Sequence, residues 1–436
     1  MKTKRFIWGF TLLLFNVSSL ISQEILISQK EVLKKVSEQN ISLKISEQDY
    51  KKAKADFNHT KSVFLPSITV SHTGFSTTNP LMVFGSKLNQ EILTSADFNP
   101  TLLNNPKKTQ NFTTKIEIQQ PLINLDGFYQ RKAAKFKMLA TSLKSERKSE
   151  YLSFEVKKTY MQLQLAYKGV GVFEKALETA KSNKQIAENN FKHGYLQQID
   201  ILNVNVRITE VKSQLQAAMS NVKNISNYLS FMMNDNSNVF YKPKDSLTLT
   251  TTIIGTNNIS ESRSDIKAMR LVYDAYKTMN KADKMSFLPR LNAFGSYELH
   301  DNNLFRGNAN GYLIGAQLTW NLFDGFKRFG KTQKSKAAFD KAKLEYKQYV
   351  SKSNLELNRT KRQLLEAKDK LHLKSLEVQQ SKESLRIRRN RFKEGLEKTS
   401  DLLIAETKYA QKQLEYYQTI FEHNLAQAYL EFLTKE

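Results

Sequence analysis

Two short stretches of this 436-residue chain place the same residue types at the same spacing: NNFKHGYLQQID at 189–200 and NRFKEGLEKTSD at 390–401. Phe191, Gly194 and Asp200 recur as Phe392, Gly395 and Asp401, each 201 residues later. A carboxylate at the start of a helical run accepts hydrogen bonds from free backbone amides and complements the helix dipole. Thr399 and Ser400 offer the same capping chemistry. Catalytic chemistry has no comparable pattern. The six histidines are scattered with no H-x-x-x-H pair, and there is no cysteine, so neither a zinc set nor a thiolate or disulfide is expected. No phosphate-binding glycine spacing occurs. Acid pairs such as Asp324 and Asp340 suit turns and surfaces. The expectation is a protein that is not an enzyme and uses no cofactor or metal.

The elements that carry these stretches are also duplicated. FLPSITVSHTGFS at 64–76 resembles FLPRLNAFGSYEL at 287–299, and LDGF at 125–128 resembles FDGF at 323–326. The order is the same in both halves: FLP segment, DGF turn, long helical arm, broken tip. Such an internal repeat dictates architecture. Gly127 to Gly194 is 67 residues and Gly325 to Gly395 is 70, so the arms match. Pro66 to Asp126 is 60 residues against 35 from Pro289 to Asp324, so the first half carries an extra loop. Apolar residues at three-four spacing (Leu152, Val156, Leu163, Tyr167, Val170; Leu414, Tyr417, Phe421, Leu425, Ala428) form narrow coiled-coil seams, with Gly169 and Gly171 marking a bend or a close helix contact. All seven prolines are expected outside helices.

Two strands are expected between FLP and DGF in each half. Phe112, Thr114, Ile116, Ile118 and Leu122 share one face against Thr113, Lys115, Glu117 and Gln119. Tyr312, Ile314, Ala316, Leu318, Trp320 and Leu322 do so in the second half, with Leu291, Ala293, Tyr297 and Leu299 on the preceding strand. Ile68 and Val70 alternate more weakly near the first FLP. Strands of about 10 residues with this alternation fit a transmembrane β-barrel. A soluble sheet packed on helices shows the same pattern. Four strands cannot close a useful barrel in lipid, so a membrane reading demands several copies: two give eight strands, three give twelve and leave a pore.

Lys2, Lys4 and Arg5 precede an apolar run at 6–21, the pattern of a signal peptide over 1–22. The run is too short for a firm membrane span. The net charge of +25 is spread along the whole chain, which fits solvated helix faces better than a nucleic-acid patch.

In this order and spacing, the FLP strands, DGF turns and F-x-x-G…D tips resemble the TolC family of outer membrane efflux and secretion proteins, across essentially the whole mature chain. The resemblance implies a mainly α fold with a β-barrel portion: coiled-coil helical hairpins plus four transmembrane strands per chain. A homotrimer would then complete a 12-strand barrel in outer-membrane lipid and a periplasmic α-helical tunnel. It implies a passive duct for a tripartite efflux pump or type I secretion system, fed by a periplasmic adaptor protein and an inner-membrane pump of RND or ABC type. Nucleic acid is not an expected partner. The expected plan is a periplasmic helix at 23–63 and a first β-hairpin at 64–123 with a long extracellular loop at 77–111. A helical hairpin at 124–233 with its tip near 194 follows, then an equatorial segment at 234–262 and a periplasmic helix at 263–286. A second β-hairpin at 287–323 and a second helical hairpin at 324–436 with its tip near 395 complete it. By motif match, His193, Gly194, Tyr195, Glu394, Gly395 and Leu396 would dock the adaptor. Asp401 would line the entrance constriction, and Asp200 would latch neighbouring helices; capping alone is the other reading of both aspartates. The chain departs from the family's latch: a family Arg position holds Glu397, beside Lys398, a Tyr position holds Phe392, and a second constriction Asp position holds Ile404. The competing class is an exported coiled-coil structural or polyanion-binding protein without a pore.

Overall fold

The computed structural model describes residues 24–236, 239–251 and 258–435. The signal-peptide reading at 1–22 lies outside them. In chain order the elements are β1 (Glu24–Ile27), α1 (Gln29–Gln39), α2 (Ile41–His59), β2 (Ser67–Thr77), α3 (Pro80–Asn89), α4 (Pro100–Asn104), β3 (Thr109–Ile123), α5 (Leu125–Lys192), α6 (Gln198–Met233), β4 (Phe240–Pro243), α7 (Ser264–Met285), β5 (Arg290–Asp301), β6 (Ala309–Thr319), α8 (Lys327–Lys393) and α9 (Thr399–Thr434). The 68 residues of α5 make about 100 Å of helix at about 1.5 Å per residue. Among the described residues, no helix is long and apolar enough to cross a membrane.

The chain divides into two compact units. The first comprises the chain up to Asn40, Leu152–Ile253 and Lys361–Tyr429. One of its cores is built by the α5 seam residues Val156, Tyr160 and Leu163 against Leu229, Met232 and Met233 of α6 and Val32 and Val36 of α1. The segment read as a single helix over 23–63 differs from that expectation. It opens with β1, and its helix breaks at Asn40, whose extended backbone (φ −60°, ψ 125°) separates α1 from α2. The Asn40 side-chain amide is used instead to donate to the Met232 carbonyl at 2.7 Å. The 234–262 segment is likewise not only a connection: β4 pairs in parallel with β1, Ile25 opposite Tyr241. Tyr160 Oη donates to the Ile27 carbonyl at 3.1 Å, and the Tyr241 amide donates to Ser226 Oγ at 2.7 Å, so both strands are tied to helices.

The second unit comprises Ile41–Tyr151, Ile254–Thr360 and the chain from Leu430. It holds a four-stranded antiparallel sheet in the order β2-β3-β5-β6. The register puts Ile68 opposite Ile118, Val70 opposite Ile116, Ile116 opposite Tyr297, and Tyr297 opposite Tyr312. All of these apolar side chains are exposed. The other face carries Ser71, Lys115 and Glu298 in one row, with Lys115 Nζ 3.2 Å from Glu298 and 3.4 Å from Glu117. Leu122 does not keep its expected place in this alternation. Pro121 lacks an amide for the ladder, the register shifts between Pro121 and Ile123, and Ile123 takes the position opposite Leu291.

The expected loop at 77–111 contains α3 and α4, while the strands reach to Thr77 and restart at Thr109. Pro80 and Pro100 therefore lie in helices, against expectation. Each occupies the first helical turn, where a missing amide costs nothing, after an Asn cap (Asn79, Asn99). The two DGF motifs also differ. Gly325 and Phe326 turn with φ of +65° and +66°, whereas Gly127 already lies in the first turn of α5. Asp126 receives Arg290, and Asp324 receives Arg328 at 2.9 Å. The unit closes around a buried ionic network in which Asp265 accepts from Arg263 Nε at 2.6 Å and Nη2 at 2.9 Å and from Tyr349 Oη at 2.7 Å.

Candidate functional site at the helix-hairpin tips

The tips are two copies of one helix-ending motif. At the first, the Gly194 amide donates to Phe191 and the Tyr195 amide to Asn190, both at 2.9 Å. At the second, the Gly395 amide donates to Phe392 at 3.1 Å and the Leu396 amide to Arg391 at 2.9 Å. This pairing satisfies the last helical carbonyls when the residue after the helix turns left-handed. Gly194 (φ +80°) and Gly395 (φ +72°) do so without the steric cost a side chain would bring. The residues beside each Gly project outward: Tyr195 is 72% exposed and Leu396 66%. The tips also meet. A Cβ on Gly395 would stand 4.0 Å from Cγ of Tyr195, so the first tip's aromatic ring lies beside the second tip's glycine, and both stay exposed. His193 lies near-parallel to Tyr195 with ring centroids 6.3 Å apart, and its Nδ1 is 2.7 Å from the Asn189 carbonyl oxygen.

The two aspartates have different surroundings. Asp200 lies in the first turn of α6 and accepts from the Gln197 amide at 3.0 Å, a local capping bond. Asp401 lies in the first turn of α9, with Oδ2 3.5 Å from Arg388 Nη1. Glu397 draws more of the cationic chemistry, accepting from Arg388 Nη1 at 2.5 Å and Arg391 Nε at 2.8 Å. The position that departs from the family pattern by charge is thus satisfied within its own hairpin. Phe392 is fully buried, and its carbonyl accepts from the Asn190 side chain at 2.9 Å, tying α8 to α5. Ile404 is 63% exposed and joins Val206 and Leu403 in a 730 Å³ groove between α6 and α9, where Lys408 and Lys412 add positive charge and Arg207 is paired with Glu210 at 3.5 Å.

Directly behind the tips is a second constellation that the motifs did not single out. Ala180, Ala187, Val204, Ile208, Leu385, Phe392, Leu402 and Ala405 form an apolar core from α5, α6, α8 and α9. A polar layer crosses this four-helix region. The Asn183 side-chain amide donates to Glu406 Oε1, Arg207 Nε lies 4.0 Å from Glu406 Oε2, and Arg389 Nη2 donates to Ser182 Oγ at 2.6 Å. Asn183, Arg207 and Glu406 are all buried. Burial pushes the Glu406 carboxyl above its usual range, and the Asn183 bond and the nearby Arg207 and Arg389 charges offset this only in part. The available sequence signal was charge at seam spacing: Arg207 falls between Val204 and Val211, and Glu406 four residues after Leu402. No group of His, Cys, Asp and Glu suited to a metal ion occurs among the described residues.

Long helical hairpins joined to a short sheet with one apolar, exposed face define the class of outer-membrane channels with a helical extension. The model of the outer membrane efflux protein family matches residues 32–235 and 256–432, and the chain belongs to that family. It is accordingly an outer-membrane protein with a periplasmic helical extension. No curated protein matches the chain. Among solved structures, it resembles the Campylobacter jejuni CmeC outer membrane channel at 17% identity and a TM-score of 0.81, covering 93% of this chain and 85% of that one. The Vibrio cholerae outer membrane protein VceC matches at 16% identity and a TM-score of 0.80, over 93% and 95% of the two chains. The open state of the Neisseria gonorrhoeae MtrE outer membrane channel matches at 15% identity and 0.76, over 93% and 88%.

Proposed function

We propose that the chain is the outer-membrane duct of a tripartite efflux pump or type I secretion system. It conducts substrates passively from a periplasmic adaptor and an inner-membrane pump of RND or ABC type. The observation that carries this is the four-stranded sheet, whose apolar side chains Tyr312 and Ile314 are each 78% exposed and whose outer strands β2 and β6 are open edges. In lipid, every unpaired backbone group costs several kcal/mol, so such a sheet needs further copies to close it. Three copies give twelve strands around a pore, with the polar row of Ser71, Lys115 and Glu298 facing inward.

In this reading the exposed tip residues His193, Gly194, Tyr195, Glu394, Gly395 and Leu396 dock the adaptor, and the α6 and α9 starts with Asp200 and Asp401 line the tunnel entrance. The paired tips, with Tyr195 beside Gly395, support a single docking surface. Outer-membrane fractionation followed by gel analysis with and without heating tests the trimer, and planar-bilayer recording tests the pore. A heat-dissociable trimer that conducts ions is expected. A monomer released in soluble form, with no conductance, would return the protein to the pore-less coiled-coil reading.

A further inference from the structure

We infer that Glu406 is the positioning residue that holds the two helical hairpins together behind the entrance, through a buried layer shared with Asn183, Arg207 and Arg389. The inference rests on the reading of the tips as a tunnel entrance. In that reading the entrance opens when the α8–α9 hairpin moves against α5–α6. The side-chain bonds that resist this in the layer are Asn183 to Glu406 and Arg389 to Ser182. The Asn190 bond to the Phe392 carbonyl lies closer to the tips. The tip carboxylates do not span the hairpins: Asp200 caps its own helix, and Glu397 is held by Arg388 and Arg391 of its own hairpin.

The layer is also incompletely satisfied. Asn183 Oδ1, Arg207 Nε and Arg389 Nε are all buried without a hydrogen-bond partner. A carboxylate in an apolar core with one close donor is a poor place for a full charge. Charged groups face Glu406 from α6 (Arg207, whose Nη1 is also 3.5 Å from Glu210 of the same helix) and α8 (Arg389), while α5 supplies the neutral Asn183 and Ser182. The closed layer raises the Glu406 pKa above the usual 4.5. Separation of the hairpins admits water and returns it toward that value. The closed form therefore binds the proton more tightly, so acid favours closure and rising pH favours opening.

Single-channel recording of the full-length trimer in planar bilayers across a pH series tests this. The wild type is expected to conduct more as pH rises through the buried carboxyl's range. Glu406→Gln keeps the acceptor for Asn183 without a titrating charge, so low conductance that no longer responds to pH is expected. Glu406→Ala removes the acceptor and leaves a hole between α5 and α9, so several-fold higher conductance at every pH is expected. Asn183→Ala reports the same loss from the other side of the bond and is expected to raise conductance with it. A Glu406→Gln channel with the wild-type pH response, or Glu406→Ala and Asn183→Ala channels that both keep wild-type conductance, would overturn the inference and leave the duct reading intact. A wild-type trimer that forms no pore would instead defeat the duct reading itself.

Discussion

Asp265→Asn removes one negative charge from the most enclosed ionic network in the sheet-bearing unit. Asp265 accepts four hydrogen bonds: Arg263 Nε at 2.6 Å, Arg263 Nη2 at 2.9 Å, Tyr349 Oη at 2.7 Å and its neighbour's Ile266 amide at 2.8 Å. Arg147 Nε adds an ion pair at 3.3 Å. The Arg263 side chain is 2% exposed and also donates to the Leu433 carbonyl and Ser353 Oγ, so it has no route to water. An Asn side chain presents only one oxygen; its NH₂ group meets donors where the second oxygen stood. Breaking a buried pair from one side costs about 3–5 kcal/mol, because the remaining charge stays buried and uncompensated. The acid dependence gives a second test. Burial raises the Asp265 pKa, but the Arg263 and Tyr349 bonds and the Arg147 and Arg263 charges outweigh it, leaving the value below its usual 3.8. A lowered folded-state pKa contributes stability that is complete above the unfolded value and is lost as pH falls through the folded one. Thermal unfolding followed by circular dichroism, on detergent-solubilised wild type and variant, should show a large gap at neutral pH that narrows below the usual carboxylate range. Adding Arg263→Gln to the variant should cost less than the sum of the two single changes. Equal unfolding midpoints at neutral pH, or a gap that widens in acid, would refute the reasoning.

Gly395→Ala forces a Cβ into a left-handed backbone and should cost about 1–2 kcal/mol at the tip; limited proteolysis should accelerate near 395 while the sheet stays protected. Ile314→Arg places a charge on the exposed apolar face and should destabilise membrane insertion by about 2–4 kcal/mol if it lies at mid-bilayer. Urea-driven unfolding from lipid vesicles would read this, and an unchanged midpoint would count against lipid contact. Leu229→Ala empties a fully buried position in the α5–α6 core and should cost about 2–5 kcal/mol by chemical denaturation. Glu397→Ala breaks two ion pairs of a carboxylate that is 10% exposed, with arginines 39% and 56% exposed; the freed arginines reach water, so a loss of about 1 kcal/mol is expected from the same measurement.

Much of the fold is written in local spacing. Period-two alternation marked Ile116 and Ile118 against Lys115 and Glu117, and the register places them on opposite faces as that period demands. Seam residues from Val156 to Tyr167 announced α5, and they build its core. Gly194 and Gly395 announced breaks because few other residues tolerate a positive φ. The pairing of β1 with β4 was not legible: four-residue strands more than 200 positions apart carry too little periodicity to declare a partner. The Pro121 bulge escaped for a related reason, since a proline announces a missing amide but not which neighbour absorbs the shift.

At the candidate site, residue types alone settled where the helices end and where a carboxylate begins the next one. They could not say what each carboxylate faces. Asp200 is spent on its own helix start, Glu397 on two arginines of its own hairpin, and Glu406, about two turns into α9, meets Asn183 from 223 residues away. A cap or a turn depends on backbone groups within a few residues, so sequence determines it. The charge state and partners of a buried side chain depend on which helices exclude water around it, and only the packed tertiary structure decides that.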